Sequence, residues 1–340
     1  MEPDAQGVLN AGGNLNSSHF ERILDFKKEK LGLTKIASRE ILNKDSANIV
    51  PEDWGVIARA IYENYDEFDA FVVLHGTETM GYSTAALSFA LPNIAKPVVF
   101  TGSQAAFGAA GSDSIVNLEN AIRVIVTRPD IVGVYLVFGT QIVQGTRVKK
   151  KTEFDYDAFK SSRRFPPLGI VGSSIIFNEE QIKKHNACFK NCAKNKESLK
   201  LLDHFENNVV ALSEHPGLSG DVITNLAKSG TRGFVLRSFG GGVPNVVRAG
   251  EDKKLALNDA FEYLMQNKIP IVITSQAPDA VACMSIYEPS IIAKKLGVIP
   301  GQDITIEAAC VKLAHLLGAG YSYEKISKEF GKNLAGEISE

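Results

Sequence analysis

Asp69-Ala-Phe-Val-Val-Leu-His-Gly-Thr-Glu-Thr-Met80 is the stretch whose reading decides the fold. Phe71 to Leu74 form a short, uninterrupted apolar run, the pattern of a strand covered on both faces of a parallel sheet. His75 to Thr79 break that run with small and polar groups, and from Met80 the pattern turns helical through Ala85, Ala86, Phe89 and Ala90. A strand that feeds a helix through a polar turn sets the turn at the carboxyl edge of a sheet. Ligands bind there in open α/β folds, because N–H groups at the helix start lack partners and the helix dipole favours anions. Thr77 brings a hydroxyl and Glu78 a carboxylate to the mouth of that crevice. The same two residues would also serve a plain capping turn, and spacing alone leaves both readings open.

On either side the chain alternates in the same way. Pro51 at a first helical position, with Glu52 and Asp53 behind it, predicts a helix start. Trp54, Ile57, Ala58, Ile61, Tyr62 and Tyr65 then recur at helical spacing as a core-facing stripe. Pro97–Phe100 and Val132–Phe138 read as buried strands, and Ile115–Val126 as a helix capped by Asp113 or Ser114. Such alternation implies right-handed crossovers and a parallel sheet. Beyond Gln181 the composition shifts to Lys, Asn and Glu as far as Asn208, read as a solvated connection. A smaller α/β unit follows, with strands at Val209–Leu212, Gly233–Arg237 and Pro270–Thr274. Its late helix carries a stripe of Ile306, Cys310, Leu313, Ala314 and Leu317. Gly240-Gly-Gly242 lacks the spaced glycines of a dinucleotide turn and the Lys-Ser/Thr of a P-loop, so it reads as a turn of close approach. The expected organisation is a larger parallel-sheet unit over 1–180, a linker over 181–208 and a second α/β unit over 209–340.

Composition narrows the function classes. The 340 residues allow two domains, and a hydrophobic content of 44% supports a sizeable core. A formal charge of −2 gives no electrostatic reason to expect nucleic acid or an anionic membrane. The acidic start, Met1-Glu-Pro-Asp-Ala-Gln-Gly7, lacks the basic and apolar regions of a signal peptide, and no apolar run approaches a membrane span. Four cysteines fit a reduced, cytoplasmic setting. Cys188 and Cys192 without a second ligand pair do not make a metal site.

His75-Gly-Thr-Glu-Thr-Met80, Ala85-Ala-Leu-Ser-Phe89 and Lys96-Pro-Val-Val-Phe-Thr-Gly-Ser-Gln104 together resemble the L-asparaginase family, in its cytosolic type I branch. Asp45-Ser-Ala-Asn48, Gly145-Thr-Arg-Val-Lys-Lys150, Leu236-Arg-Ser-Phe-Gly240 and Asp303-Ile-Thr-Ile-Glu-Ala308 extend the resemblance over nearly the whole chain in the family's order. It implies an asparaginase/glutaminase-like fold, hydrolysis of L-asparagine without cofactor or metal, and assembly as a homodimer or homotetramer. Residue by residue, it assigns the catalytic group to Thr77, Glu78 and Lys150, with Lys149 and Lys151 as near competitors of Lys150. The substrate's surroundings fall to Ser46, Thr77, Glu78, Thr101 and Gly102. Ser46 matches the residue that receives the substrate's α-carboxylate, and Thr101 and Gly102 match the wall around the reacting amide.

Three departures from the family pattern accompany these matches. Glu78 replaces the family's Asp, and Ala47 stands where some members carry a hydrogen-bonding side chain. The family's opening strand, ending in Thr-Gly-Gly-Thr-Ile-Gly with a nucleophilic Thr, finds no match. Residues 1–9 read as the loop after it, Val8 falls where many members have Tyr, and Ala11-Gly-Gly-Asn14 reads as a loop turn. Amide hydrolysis asks for an activated hydroxyl, a proton acceptor and donors for the oxyanion. With Thr77 and Lys150 kept, the expectation is an amidohydrolase. The alternatives are a catalytically impaired relative that binds an amino acid or protein, and an ammonia-producing component of an amidotransferase.

Overall fold

The computed structural model describes residues 2–3, 9–10, 28–162, 165–189, 199–251, 254–278 and 280–339. The readings placed on Val8 and on Ala11–Asn14 lie outside these residues. The chain divides into two compact units, 1–161 with 166–203, and 162–165 with 204–340. Among the described residues no helix is long and apolar enough to cross a membrane.

In the first unit, α1 spans Pro51–Glu63 and starts with Pro at its first position and the Asp53 carboxylate on the Val50 N–H. Trp54, Ile57, Ala58 and Ile61 are buried as the stripe requires, but Tyr62 is 42% exposed, so the buried face ends one turn early. Then follow β1 (Phe71–Leu74), α2 (Met80–Ala90), β2 (Pro97–Thr101), α3 (Ser114–Thr127) and β3 (Gly133–Phe138). β4 (Gln141–Gln144), β5 (Val148–Lys150), β6 (Phe159–Ser161), β7 (Gly169–Val171), β8 (Ile175–Phe177) and α4 (Glu179–Phe189) complete the unit.

The main sheet has the order β8-β7-β4-β3-β2-β1. It is parallel only across β1, β2 and β3; β4, β7 and β8 add to it antiparallel. The expectation of a parallel sheet therefore holds for half of it. The reason is local: only Gly139 and Thr140 separate β3 from β4, and so short a link closes a hairpin rather than a crossover. Gly139 sits at φ +56°, and a Cβ there would overlap the Asp157 carboxylate that takes the Thr140 N–H.

β1 also departs from expectation. It lies at the end of the strand order, and its residues are half-buried, with Leu74 45% exposed, rather than covered on both faces. The apolar run signalled a strand but not its place at the edge. The core lies further in, where Val99, Tyr135, Val137 and Ile142 pack against Ala121 and Val124 of α3.

The segment read as a linker over 181–208 begins instead as most of α4. Gln181, Ile182, His185, Asn186 and Phe189 are buried, the Asn186 amide bonds Asp130 O and the Val132 N–H, and Phe189 fills the space that Gly133 leaves open. Its polar composition hid a packed face.

The second unit runs β9 (Val209–Ser213), α5 (Gly220–Lys228), β10 (Gly233–Ser238), α6 (Asn258–Gln266), β11 (Ile271–Ser275), α7 (Glu288–Lys295), β12 (Ile299–Pro300), α8 (Ile306–Gly318) and α9 (Tyr323–Glu329). Its sheet, β9-β10-β11-β12, is parallel throughout. Gly242, at φ +80°, leaves no room for a Cβ beside Ala282, as a turn of close approach requires. Along α8, Leu313 and Ala314 are buried while Ile306, Cys310 and Leu317 are half-buried. The burial extends round the helix to Lys312.

Candidate active site

The turn between β1 and α2 is wedged against two neighbours. A Cβ on Gly76 would stand 2.5 Å from Ser46 Oγ, so only glycine admits this approach. Ser46, in a short turn capped by the Asp45 side chain, is buried. Its Oγ accepts from the Glu78 N–H at 3.3 Å, and its carbonyl accepts from Thr79 Oγ1 at 2.7 Å. On the other side the His75 N–H bonds Thr101 O at 2.9 Å, and Gly102 is pressed so closely on His75 O that a Cβ would overlap it. Thr101 is fully buried, and its Oγ1 has no hydrogen-bond partner among the described residues. Ser46, Thr101 and Gly102 thus all touch the turn that bears Thr77 and Glu78.

Neither Thr77 nor Glu78 caps the helix: Thr79 holds the N-cap position and makes no side-chain cap bond. Both instead meet Lys150, whose Nζ lies 2.9 Å from Thr77 Oγ1 and 2.7 Å from Glu78 Oε1. A third acceptor, Glu153 Oε2 at 2.7 Å, comes from the loop after β5. The Lys150 side chain is 15% exposed, against 49% for Glu78 and 71% for Glu153. Strand geometry separates the three neighbouring lysines, since successive side chains on β5 point to opposite faces and Lys150 is the one turned to Thr77. The strand is placed by α2 itself, because Thr84 Oγ1 donates to Gly145 O at 2.8 Å just before β5. One helix therefore fixes both halves of the pair.

Behind Gly102 lies a polar support that sequence reasoning did not single out. Asn117 Nδ2 donates to Gly102 O at 2.9 Å and to Asp113 Oδ2 at 2.8 Å, while its Oδ1 takes the Gly139 N–H at 3.0 Å. Asp113, read as a possible helix cap, makes no such bond; its carboxylate accepts the Gln104 and Ala105 N–H groups. Glu153 was also missed, for a lone Glu in a polar loop carries no signal of its own. Among the described residues no cluster of three or more His, Cys, Asp or Glu is placed to hold a metal.

A two-unit α/β fold with a hydroxyl–lysine–carboxylate group at the carboxyl edge of its larger sheet defines the class. The N-terminal asparaginase family model matches residues 7–183, and the glutaminase/asparaginase C-terminal domain model matches residues 208–330. This chain belongs to the asparaginase family. It is 36% identical to an L-asparaginase of Thermococcus kodakarensis, over 90% of this chain and 87% of that one. The solved structure of the thermostable L-asparaginase from that organism superposes with a TM-score of 0.81 at 31% identity, covering 100% of this chain and 95% of the other. L-asparaginase 1 of Escherichia coli is 34% identical over 87% of this chain and 82% of its own length. One component of a glutamyl-tRNA(Gln) amidotransferase from Methanothermobacter thermautotrophicus is 30% identical, over 94% of this chain but 70% of its own length.

Proposed function

We propose that this protein hydrolyses the side-chain amide of L-asparagine to L-aspartate and ammonia, using the Thr77 hydroxyl and Lys150. The observation that carries this reading is the 2.9 Å bond between Lys150 Nζ and Thr77 Oγ1 at the carboxyl edge of the sheet. The substrate is suggested by the two L-asparaginases to which the chain is similar. Lys150 takes the Thr77 proton as the hydroxyl, or a water it aims, adds to the amide carbon. The proton then leaves with the departing ammonia, and where Thr77 itself has added, a water cleaves the resulting ester to release aspartate and return the hydroxyl. Glu78, one oxygen of which is on Lys150, has the other to offer an α-ammonium group. Ser46 Oγ lies against the Glu78 N–H and would meet the α-carboxylate, with Thr101 and Gly102 walling the amide. No cofactor enters this scheme. The setting proposed is cytoplasmic and the assembly a homodimer or homotetramer, which light scattering at micromolar concentration would overturn by showing a stable monomer.

Ammonia release from asparagine and glutamine tests the reaction, and turnover of neither would sink it. A second reading has one observation in its favour: Lys150 Nζ donates to three acceptors at once, which is the ammonium form and not a base. The protein would then bind an amino acid without cleaving it. Calorimetric binding of aspartate in the absence of turnover would select that reading.

A further inference from the structure

The turn bearing Thr77 is held from behind by a chain of hydrogen bonds with one permitted direction. Trp54 Nε1 donates to Ser83 Oγ at 3.1 Å, Ser83 Oγ lies 2.9 Å from His75 Nε2, and His75 Nδ1 lies 2.7 Å from Gly76 O. An indole N–H only donates and a carbonyl only accepts. With both ends fixed, His75 carries its proton on Nδ1 to reach Gly76 O. Its Nε2 then offers a lone pair, which takes the Ser83 hydroxyl proton, and the Ser83 oxygen receives the indole N–H. A single placement of three protons satisfies the whole chain. Burial lowers the His75 pKa below its ordinary value, with the Gly76 bond opposing, which keeps the ring neutral as that placement needs.

The consequence falls on the next peptide. A planar trans peptide sets its N–H opposite its carbonyl, so a Gly76 carbonyl drawn to His75 turns the Thr77 N–H to the other side. That N–H makes no hydrogen bond among the described residues. We propose that His75, oriented through Ser83 by Trp54, is a positioning residue that fixes the Gly76–Thr77 peptide plane and thereby the aim of Thr77 at the site. The inference rests on the catalytic reading of Thr77, and none of the three residues is asked to touch substrate.

Nitrogen NMR of the His75 ring, with ammonia-release kinetics on the same samples, tests it. The parent protein is expected to show the Nδ1–H tautomer. Ser83→Ala should mix the tautomers and lower kcat by about tenfold or more, with KM changed less than about twofold, because a loosened turn misplaces the reacting hydroxyl. Ser83→Thr, which restores a hydroxyl, should recover most of the rate. If Ser83→Ala does not fold, Trp54→Phe keeps an aromatic ring at this position while removing the terminal donor together with the pyrrole part of the indole, and it should move kcat in the same direction. A parent protein with its proton on Nε2, or a folded Ser83→Ala or Trp54→Phe variant with parental kcat, would overturn the proposal. A parent that releases no ammonia would defeat the asparaginase reading alone; the tautomer, and a shift of the Thr77 amide signal in Trp54→Phe, would still decide the relay.

Discussion

Lys150 and Lys312 each donate to three acceptors, in opposite surroundings. Lys150 Nζ meets a hydroxyl and two carboxylates, all on side chains that water reaches. Lys312 Nζ meets Phe330 O at 2.7 Å, Lys332 O at 2.5 Å and the Glu337 carboxylate, with both ionic side chains 0% exposed. Glu337 is itself tied, accepting the Leu334 and Ala335 N–H groups, and the Phe330 ring lies 5.1 Å from the ammonium. A cation whose acceptors are backbone carbonyls and an immobilised carboxylate, with both ionic side chains shut off from water, is held in one arrangement. One whose acceptors are a hydroxyl and two solvated carboxylates can exchange them. The first arrangement closes a fold, the second suits a reaction.

The largest effect expected from breaking this contrast is on turnover. Lys150→Met should lower kcat/KM by roughly a thousandfold or more, as removal of a proton acceptor commonly does, while the thermal midpoint stays near that of the parent. Thr77→Ala should match it, and Thr77→Ser should keep part of the rate. Steady-state kinetics beside a melting curve checks all three. Equal activity in Thr77→Ala and the parent would remove Thr77 from the mechanism.

Lys312→Met should invert the pattern. Losing one member of a fully buried pair strands the other, a cost of about 3–5 kcal/mol, to be read from denaturant unfolding. Lys312→Met with Glu337→Met should recover part of that loss, but not all, because the carbonyls of Phe330 and Lys332 and the N–H groups of Leu334 and Ala335 lose their partners. A double variant less stable than the sum of the single changes would show that the pair is not what holds the C-terminal segment.

Acid should act next, through histidines buried as neutral rings. Burial is the main cause that brings His185 down to about 4, against the Val132 O bond. His315 also falls to about 4, by burial first and then by the charge of Lys312. The unfolded chain binds these protons near pH 6.5 and the folded one near 4. Their contribution is therefore complete above about pH 6.5 and lost as pH falls from there through 4, about 3 kcal/mol for each ring. Denaturant titrations at pH 7 and pH 4.5 check this, and His185→Gln should flatten the dependence.

The parts of the fold written in local periodicity were legible. The strands at Pro97–Thr101 and Gly133–Phe138 and the helix at Ser114–Thr127 differ from their expected bounds by a residue or so. What escaped depends on contacts between distant segments. An apolar tetrapeptide reads the same at the edge of a sheet as in its middle, so β1 was set too deep. Lys312 was not singled out, because Glu337, which permits its burial, lies 25 positions later. Among three successive lysines the family resemblance points to Lys150 with its neighbours as competitors, and strand alternation turns Lys149 to the opposite face. Asn117 reaches Gly102 and Gly139 only because α3 packs across the strand ends, a relation no spacing encodes.

The smallest expected effect separates the two carboxylates on Lys150. Glu78 is anchored at its backbone, since its N–H bonds Ser46 Oγ and its neighbour Thr79 is tied to Ser46 O. Glu153 stands in the loop after β5, 71% exposed and three residues from the lysine, and exposed pairs of this kind add little. Glu153→Gln should therefore change kcat/KM by less than about threefold, while Glu78→Gln, which removes the anchored carboxylate and any hold on an α-ammonium group, should cost at least about tenfold. Raising the salt concentration should reproduce part of the Glu153→Gln effect in the parent, because the exposed pair is screened. The reverse ranking of the two variants would make the loop carboxylate the one that holds Lys150 in register, and would move the centre of the site from the β1–α2 turn to the loop after β5.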